Sequence, residues 1–304
     1  MRWKLALHSI SYSGVWPGQT FLEIPAFLEK AHQLGFDAVM LMAKRPHLSP
    51  VDYTPPQRRK LRAQLDHLEL EVDCLAGYTN FCISDQMLKV PHRELQLMYL
   101  TDLASFANDL GTTLIRVFTG QPDSRRRFDE NWEECVKALR EASRRVADYG
   151  VTLGVQNYHD LAMSSHSLRR LLQDVNEPNC RAMFDAWAPT MQGDDLTDAV
   201  QTIAPYIVHT TVADYASRPH RPYVPMVPPL VDTVREEGIQ AVPVGEGIVD
   251  YRTFLQTLAG SGYQGTIAYE MCTPLKGGGS EANLDKHATH FLNYMSQLNL
   301  QDTA

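Results

Sequence analysis

No stretch of this sequence is apolar over the ~18 residues that a membrane-crossing helix requires, and the opening run Trp3-Lys4-Leu5-Ala6-Leu7-His8 is too short for a signal peptide. The two absences predict a cytoplasmic protein without a membrane partner. A basic surplus is missing too: 28 Lys and Arg stand against 36 Asp and Glu, for a formal net charge of −8. Nucleic-acid backbones are gripped by clustered cations, so no nucleic-acid partner is expected. The five cysteines (74, 82, 135, 180 and 272) form no Cys-x-x-Cys pair and are odd in number, which points to buried thiols rather than a disulfide framework. No Gly-x-Gly-x-x-Gly run follows the first strand-like segment, and this removes the open dinucleotide-binding sheet.

What is present is a globular composition, 44% hydrophobic and 21% charged over 304 residues, enough for a sizeable core. Strand-like patterns are expected at 5–10, 38–41, 72–76, 114–118, 151–157, 181–184, 207–213 and 266–271, separated by helical patterns. Phe21, Ile24, Phe27, Leu28, Ala31 and Leu34 recur at helical spacing, and Gly35 comes next as a C-terminal stop. Pro55-Pro56 opens a second helix, where a missing N–H costs little. Strands alternating with helices over one domain length predict an α/β fold, a (β/α)8 TIM barrel occupying residues 1–304 as one domain. One segment breaks the rhythm. A Pro-rich insertion at 215–230 carries prolines 219, 222, 225, 228 and 229, which are expected to interrupt any regular element. Its place after the seventh strand suits a lid or substrate contact at the barrel mouth, and equally a subunit contact or plain decoration, and a homo-oligomer is left open.

Strand ends on one face of a barrel converge, so the polar residues that cap them are the candidate site. They are His8; Lys44, Arg45 and His47; Asn80; Arg116; Gln156, Asn157, His159 and Asp160; Asp185 and Trp187; His209, Thr211 and Asp214; and Glu270. A barrel serving only as a scaffold has no need of that density. Lys44, His47 and Arg116 suit an anionic substrate group, although exposed basic residues are often merely solvated. Arg116, lying within an apolar strand, requires a partner. Trp16, Tyr78, Phe118 and Trp187 are the aromatic faces suited to stacking on a sugar or to packing the core.

The last hundred residues are the most distinctive. Gly245-Glu246-Gly247-Ile248-Val249-Asp250-Tyr251 precedes a helix, then Gly262-Tyr263-Gln264-Gly265, then a strand that ends in Glu270 and breaks at Thr273-Pro274. That order resembles the xylose isomerase-like TIM-barrel family of sugar isomerases and epimerases. The resemblance implies a small-molecule carbohydrate substrate and a divalent metal (Mn, Mg, Co or Zn) held by Glu, Asp, His and Glu from strands five to eight. Asp185 matches the aspartate and Glu270 the final glutamate. Gln156 stands where the family has Glu, and Thr211 where it has His. The expected metal ligands here are therefore Gln156, Asp185, Glu270 and His209, which shares the strand parity of Thr211.

Such isomerases move a proton at a carbon next to a carbonyl with two carboxylates, and Gln156 cannot be a base. Glu270 is expected as one catalytic group and His159 as the second, because histidine titrates near neutral pH. His8, Lys44, His47, Asn80, Arg116, Asn157 and Trp187 are the expected substrate contacts. The same residues also suit a lyase that eliminates a group from a keto-inositol or 3-keto sugar, or a sugar-binding subunit without catalysis.

Overall fold

The computed structural model describes residues 3–83, 89–158, 160–219 and 237–298, with the backbone alone at 217–219 and 237–239. His159 lies outside the described residues, and so do residues 220–236, which include the Pro-rich stretch from 220 onward.

Eight parallel strands close into a barrel: β1 (Leu5–His8), β2 (Ala38–Met42), β3 (Glu71–Ala76), β4 (Leu114–Val117), β5 (Thr152–Gln156), β6 (Cys180–Met183), β7 (Ile207–Val212) and β10 (Ile267–Tyr269). Around the ring the order is β1, β10, β7, β6, β5, β4, β3, β2. Helices α1 (Ile24–Leu34), α2 (Pro55–His67), α3 (His92–Leu110), α4 (Phe128–Ala147), α5 (Ser165–Val175), α6 (Trp187–Gln192), α7 (Leu196–Ile203), α8 (Tyr251–Gly260) and α9 (Glu281–Gln297) complete the alternation.

Local chemistry explains most boundaries. In α1, Ile24, Phe27, Leu28 and Ala31 form one buried stripe, and Gly35 ends the helix at φ +89°, a left-handed conformation that glycine adopts without strain. The Ser164 hydroxyl accepts from Ser167 N at 3.1 Å and starts α5. β1 stops at His8, short of the expected Ile10, because the His8 ring accepts from Ile10 N and turns 9–12 into a 3-10 helix. The segment 214–219 is a correction to the expected irregular stretch. It forms β8 (Asp214–Pro219), paired antiparallel with β9 (Glu237–Val242), and the first of the prolines, Pro219, lies within the pairing rather than preventing it.

Side-chain alternation sorts the core into two parts. Leu5, Leu7, Val39, Leu41, Ile115, Val117, Leu153 and Val155 face the helices. Ala6, Ala38, Met40, Cys74, Ala76, Leu114, Met183 and Ala268 fill the inside of the barrel. Small residues predominate there because facing strands leave little space. The register skips Asp73 between β2 and β3, and shifts again where β6 meets β7. Parity then places His8, Arg116, Gln156, Thr211 and Glu270 at the C-terminal rim, on the inner side.

Candidate active site

Three of the rim residues form a connected chain. Arg116 is 3% exposed and its guanidinium lies over the faces of Tyr78 and Phe118, 4.6 and 4.2 Å from the ring centroids. Its Nε and Nη2 donate to Gly77 O at 3.3 and 3.1 Å, and Nη1 donates to Gln156 Oε1 at 3.2 Å. The Gln156 amide NH2 in turn donates to Asp185 Oδ2 and, at 3.3 Å, to Thr211 Oγ1. Asp185 also accepts from Thr211 N on Oδ1 and from Thr211 Oγ1 on Oδ2, both at 2.6 Å. Burial pushes the Asp185 pKa up, while the Thr211 donors and Gln156 pull the other way. Both oxygens of this carboxylate are occupied.

Glu270 differs. Its carboxylate lies at the end of β10, 3.8 Å from Cys272 Sγ and 4.0 Å from His8 Nε2. Burial is the main cause that lifts its pKa to about 7; the Asp185 charge adds to this and Arg116 opposes it. His8 is fully buried and held neutral by burial, with Arg116, His47 and His209 further disfavouring its charged form. Since His8 Nδ1 accepts from Ile10 N, the proton sits on Nε2, which has no hydrogen-bond partner among the described residues and is directed at Glu270. With a neutral ring, the 4.0 Å contact is dipolar rather than an ion pair. An atom or water between the two could bond to both.

Lys44 extends over Tyr78, its Nζ 3.9 Å from the ring centroid, and burial followed by the Arg116 charge lowers its pKa. Trp187 packs on Tyr215 with centroids 4.1 Å apart, and the Tyr215 hydroxyl lies 3.7 Å from Cys272 Sγ. Tyr158 packs against Phe118 with ring centroids 4.8 Å apart and planes tilted by 42°. Cys272, Tyr215 and Tyr158 were not among the expected site residues. Their approach to one another is a product of chain folding that no spacing in the sequence announces.

Several expected site residues are engaged elsewhere. Both His47 ring nitrogens are in contact, Nδ1 with Ser9 Oγ and Nε2 with Leu22 O, each at 3.1 Å. Asn80 Oδ1 accepts from Cys82 N, closing a turn. Asn157 clamps the Asp185 backbone, donating to Asp185 O at 2.9 Å and accepting from Asp185 N at 2.7 Å. Asp160 accepts from the N–H groups of Thr119, Gly120 and Ala162. His209 Nε2 lies 2.6 Å from Asp73 Oδ2, deeper in the barrel.

The Gly245–Tyr251 signature is an anchor. Asp214 Oδ2 accepts from Gly245 N and Gly247 N, and Oδ1 from Tyr215 N and Val249 N. A Cβ at Gly247 would sit 2.0 Å from Asp214 Oδ1, so only glycine fits. The Tyr251 hydroxyl exchanges hydrogen bonds with Ala213 N and O. The motif thus holds the end of β7 in place.

Donor chemistry tests whether these residues fit the divalent metal implied by the resemblance. A guanidinium only donates, so Gln156 must turn its oxygen to Arg116 and its NH2 to Asp185. Reversing the amide would set donor against donor and oxygen against carboxylate. The group offered beside Asp185 is therefore a donor, which ligates nothing. Thr211 directs its hydroxyl at the same carboxylate, and His209 is held by Asp73. Among the described residues no three of His, Cys, Asp and Glu converge as a metal would require. The set does not fit the ion.

A closed parallel β/α barrel with its buried polar groups gathered at the strand ends defines the class of protein. The chain belongs to the xylose isomerase-like TIM barrel family, whose model matches residues 28–293. It is 24% identical over 238 residues to the 3-dehydroshikimate dehydratase of Bacillus anthracis, a match covering 78% of this chain and 81% of that protein. It is 28% identical over 141 residues to the rhizopine catabolism protein MocC of Rhizobium meliloti, covering 46% and 43%. Among solved structures, the probable 3-DHS dehydratase AsbF of Bacillus anthracis superposes with a TM-score of 0.73 at 20% identity, over 97% of this chain and 100% of that one. D-psicose 3-epimerase of Clostridium cellulolyticum H10 also superposes at 0.73, with 17% identity, over 97% and 99%. Relatives in the family are thus named as dehydratases and epimerases.

Proposed function

We propose that the chain is a carbon–oxygen lyase, a dehydratase acting on a small hydroxylated carbonyl compound. The observation that carries this reading is the inequality of the two rim carboxylates. Asp185 is locked by its donors, whereas Glu270 faces His8 with a pKa of about 7. A base poised near neutral pH gives up and takes back a proton with comparable ease.

In the first step the Glu270 carboxylate takes a proton from the carbon next to the carbonyl, and the C–H electron pair becomes an enolate. Arg116 stabilises the negative charge as it develops, and the His8 Nε2–H donates to an oxygen of the reacting group. The enolate pair then forms a C=C bond as the β-hydroxyl leaves. The proton held by Glu270 goes to that hydroxyl, so water departs and the carboxylate is restored. One acid–base group on one face suffices. Epimerisation needs a second proton carrier on the opposite face, and Gln156 occupies the family's position for it. Likeness to a dehydratase over four-fifths of that protein's length supports the same reading.

Keto-inositols, 3-keto sugars and 3-dehydroshikimate, the substrate in that relative's name, form the substrate panel, incubated in D2O. The expected result is loss of water with growth of a conjugated-carbonyl absorbance, reduced by roughly 10²- to 10⁴-fold in Glu270→Gln. Deuterium in an isomeric product that keeps all its oxygens would replace the lyase by an isomerase. Turnover equal in Glu270→Gln and the parent would remove Glu270 from the chemistry.

A further inference from the structure

The mismatch between this donor set and a divalent ion has a consequence for charge. Asp185 and Glu270 supply at most two negative charges at the rim, and Arg116 already cancels one of them. Its guanidinium cannot turn away, being held between Tyr78 and Phe118 and bonded twice to Gly77 O. A divalent ion seated at Asp185 would therefore leave a surplus of positive charge in a buried place, where like charges are poorly screened.

It would also have to break existing bonds. Asp185 would lose the Gln156 NH2 and the Thr211 hydroxyl, and Gln156 could offer an oxygen only by presenting its NH2 to the guanidinium. We infer that this member of the family takes no divalent cation at the rim: Arg116, relayed to Asp185 through the oriented Gln156 amide, supplies the fixed positive charge, and Gln156 and Thr211 exclude the ion. The inference is independent of which bond the enzyme breaks.

The test reads metal binding and not turnover. The purified full-length chain is titrated with Mn²⁺, free ion being monitored by electron paramagnetic resonance and retained ion by elemental analysis after dialysis. The parent protein is expected to retain far less than one ion per chain. The Q156E/T211H variant places a carboxylate and an imidazole beside Asp185 and Glu270, and is expected to retain one ion, with affinity raised on the order of 100-fold or more, the upper scale on which the surroundings of a site alter metal binding. A parent protein that holds one ion per chain and loses it in Asp185→Asn overturns the inference. So does a folded Q156E/T211H variant that binds no better than the parent. If the double substitution prevents folding, Q156E alone must raise the affinity, and its failure to do so is equally decisive.

Discussion

In the proposed reaction, the burial that would make Glu270 an effective base is also what makes it weaken the fold. A carboxylate at its ordinary pKa of 4.5 would be too weak a base at neutral pH; burial, helped by Asp185, raises it to about 7. As a base it must be ionised, so kcat/KM is expected to fall by about tenfold per unit below pH 7. A pH–rate profile without a limb near 7 would count against Glu270. The sign for stability is the reverse. The folded state holds this proton more tightly than the unfolded chain does, so the stabilising contribution is present below pH 4.5 and is lost as pH rises to about 7. Glu270→Gln should therefore stabilise the protein at pH 8 by ~1–3 kcal/mol, with the gain vanishing near pH 4. Thermal unfolding of both proteins at the two pH values measures this.

At the scale of elements, one carboxylate is a main anchor of the stretch after β7. Asp214 ties the start of β8 to the turn before α8 through three backbone N–H groups of that turn, accepts a fourth from its neighbour Tyr215, and Tyr251 ties α8 to Ala213. Asp214→Ala would leave those donors to water or unpaired, at an expected cost of roughly 2–4 kcal/mol in urea unfolding. Gly247→Ala, which forces a methyl into the Asp214 carboxylate, should produce a loss of similar size. A change within ~0.5 kcal/mol in both would show that the turn does not depend on the anchor. The sequence revealed this motif but not its purpose: its glycines read as a signature, and only the close approach of Gly247 to Asp214 shows why glycine is required there. Elsewhere the elements were legible where apolar periodicity was strong. Helix α7 is such a case, with Leu196, Ala199, Val200 and Ile203 buried at helical spacing. The start of helix α9 at Glu281 is not marked by apolar periodicity, because its first two turns are mostly polar. The short helix Trp187–Gln192 was not expected, since Pro189 and six residues leave no period to detect.

At the scale of the whole molecule, the pair of Asp73 and His209 joins β3 to β7, which stand opposite each other in the ring. The register skip at Asp73 accompanies this contact, as a bulge re-aims a side chain. Asp73 Oδ1 and His209 Nδ1 remain without partners among the described residues, so this interior pair is only partly satisfied. Removing one member leaves the other buried alone. Asp73→Ala is expected to cost ~3–5 kcal/mol, whereas replacing both residues by Leu should cost much less. Chemical denaturation of the two variants distinguishes a pair that is coupled across the barrel from two independent residues. Equal losses in both would mean that no such coupling exists.

The sequence alone determined the barrel. Strand and helix periods, glycine stops and proline starts are local properties, and eight alternations permit few other architectures. It also determined that Glu270, Asp185 and Gln156 lie at or just past the ends of strands that converge. Tertiary structure alone decided how these groups act on one another. Hydrogen-bond direction at Gln156 is set by Arg116 from β4 and Asp185 from after β6, and the pKa of Glu270 by its burial and by Asp185 and Arg116. Direction and desolvation depend on neighbours distant in the chain, so a residue's type and position name the candidate, while its surroundings decide whether it binds, holds or moves a proton.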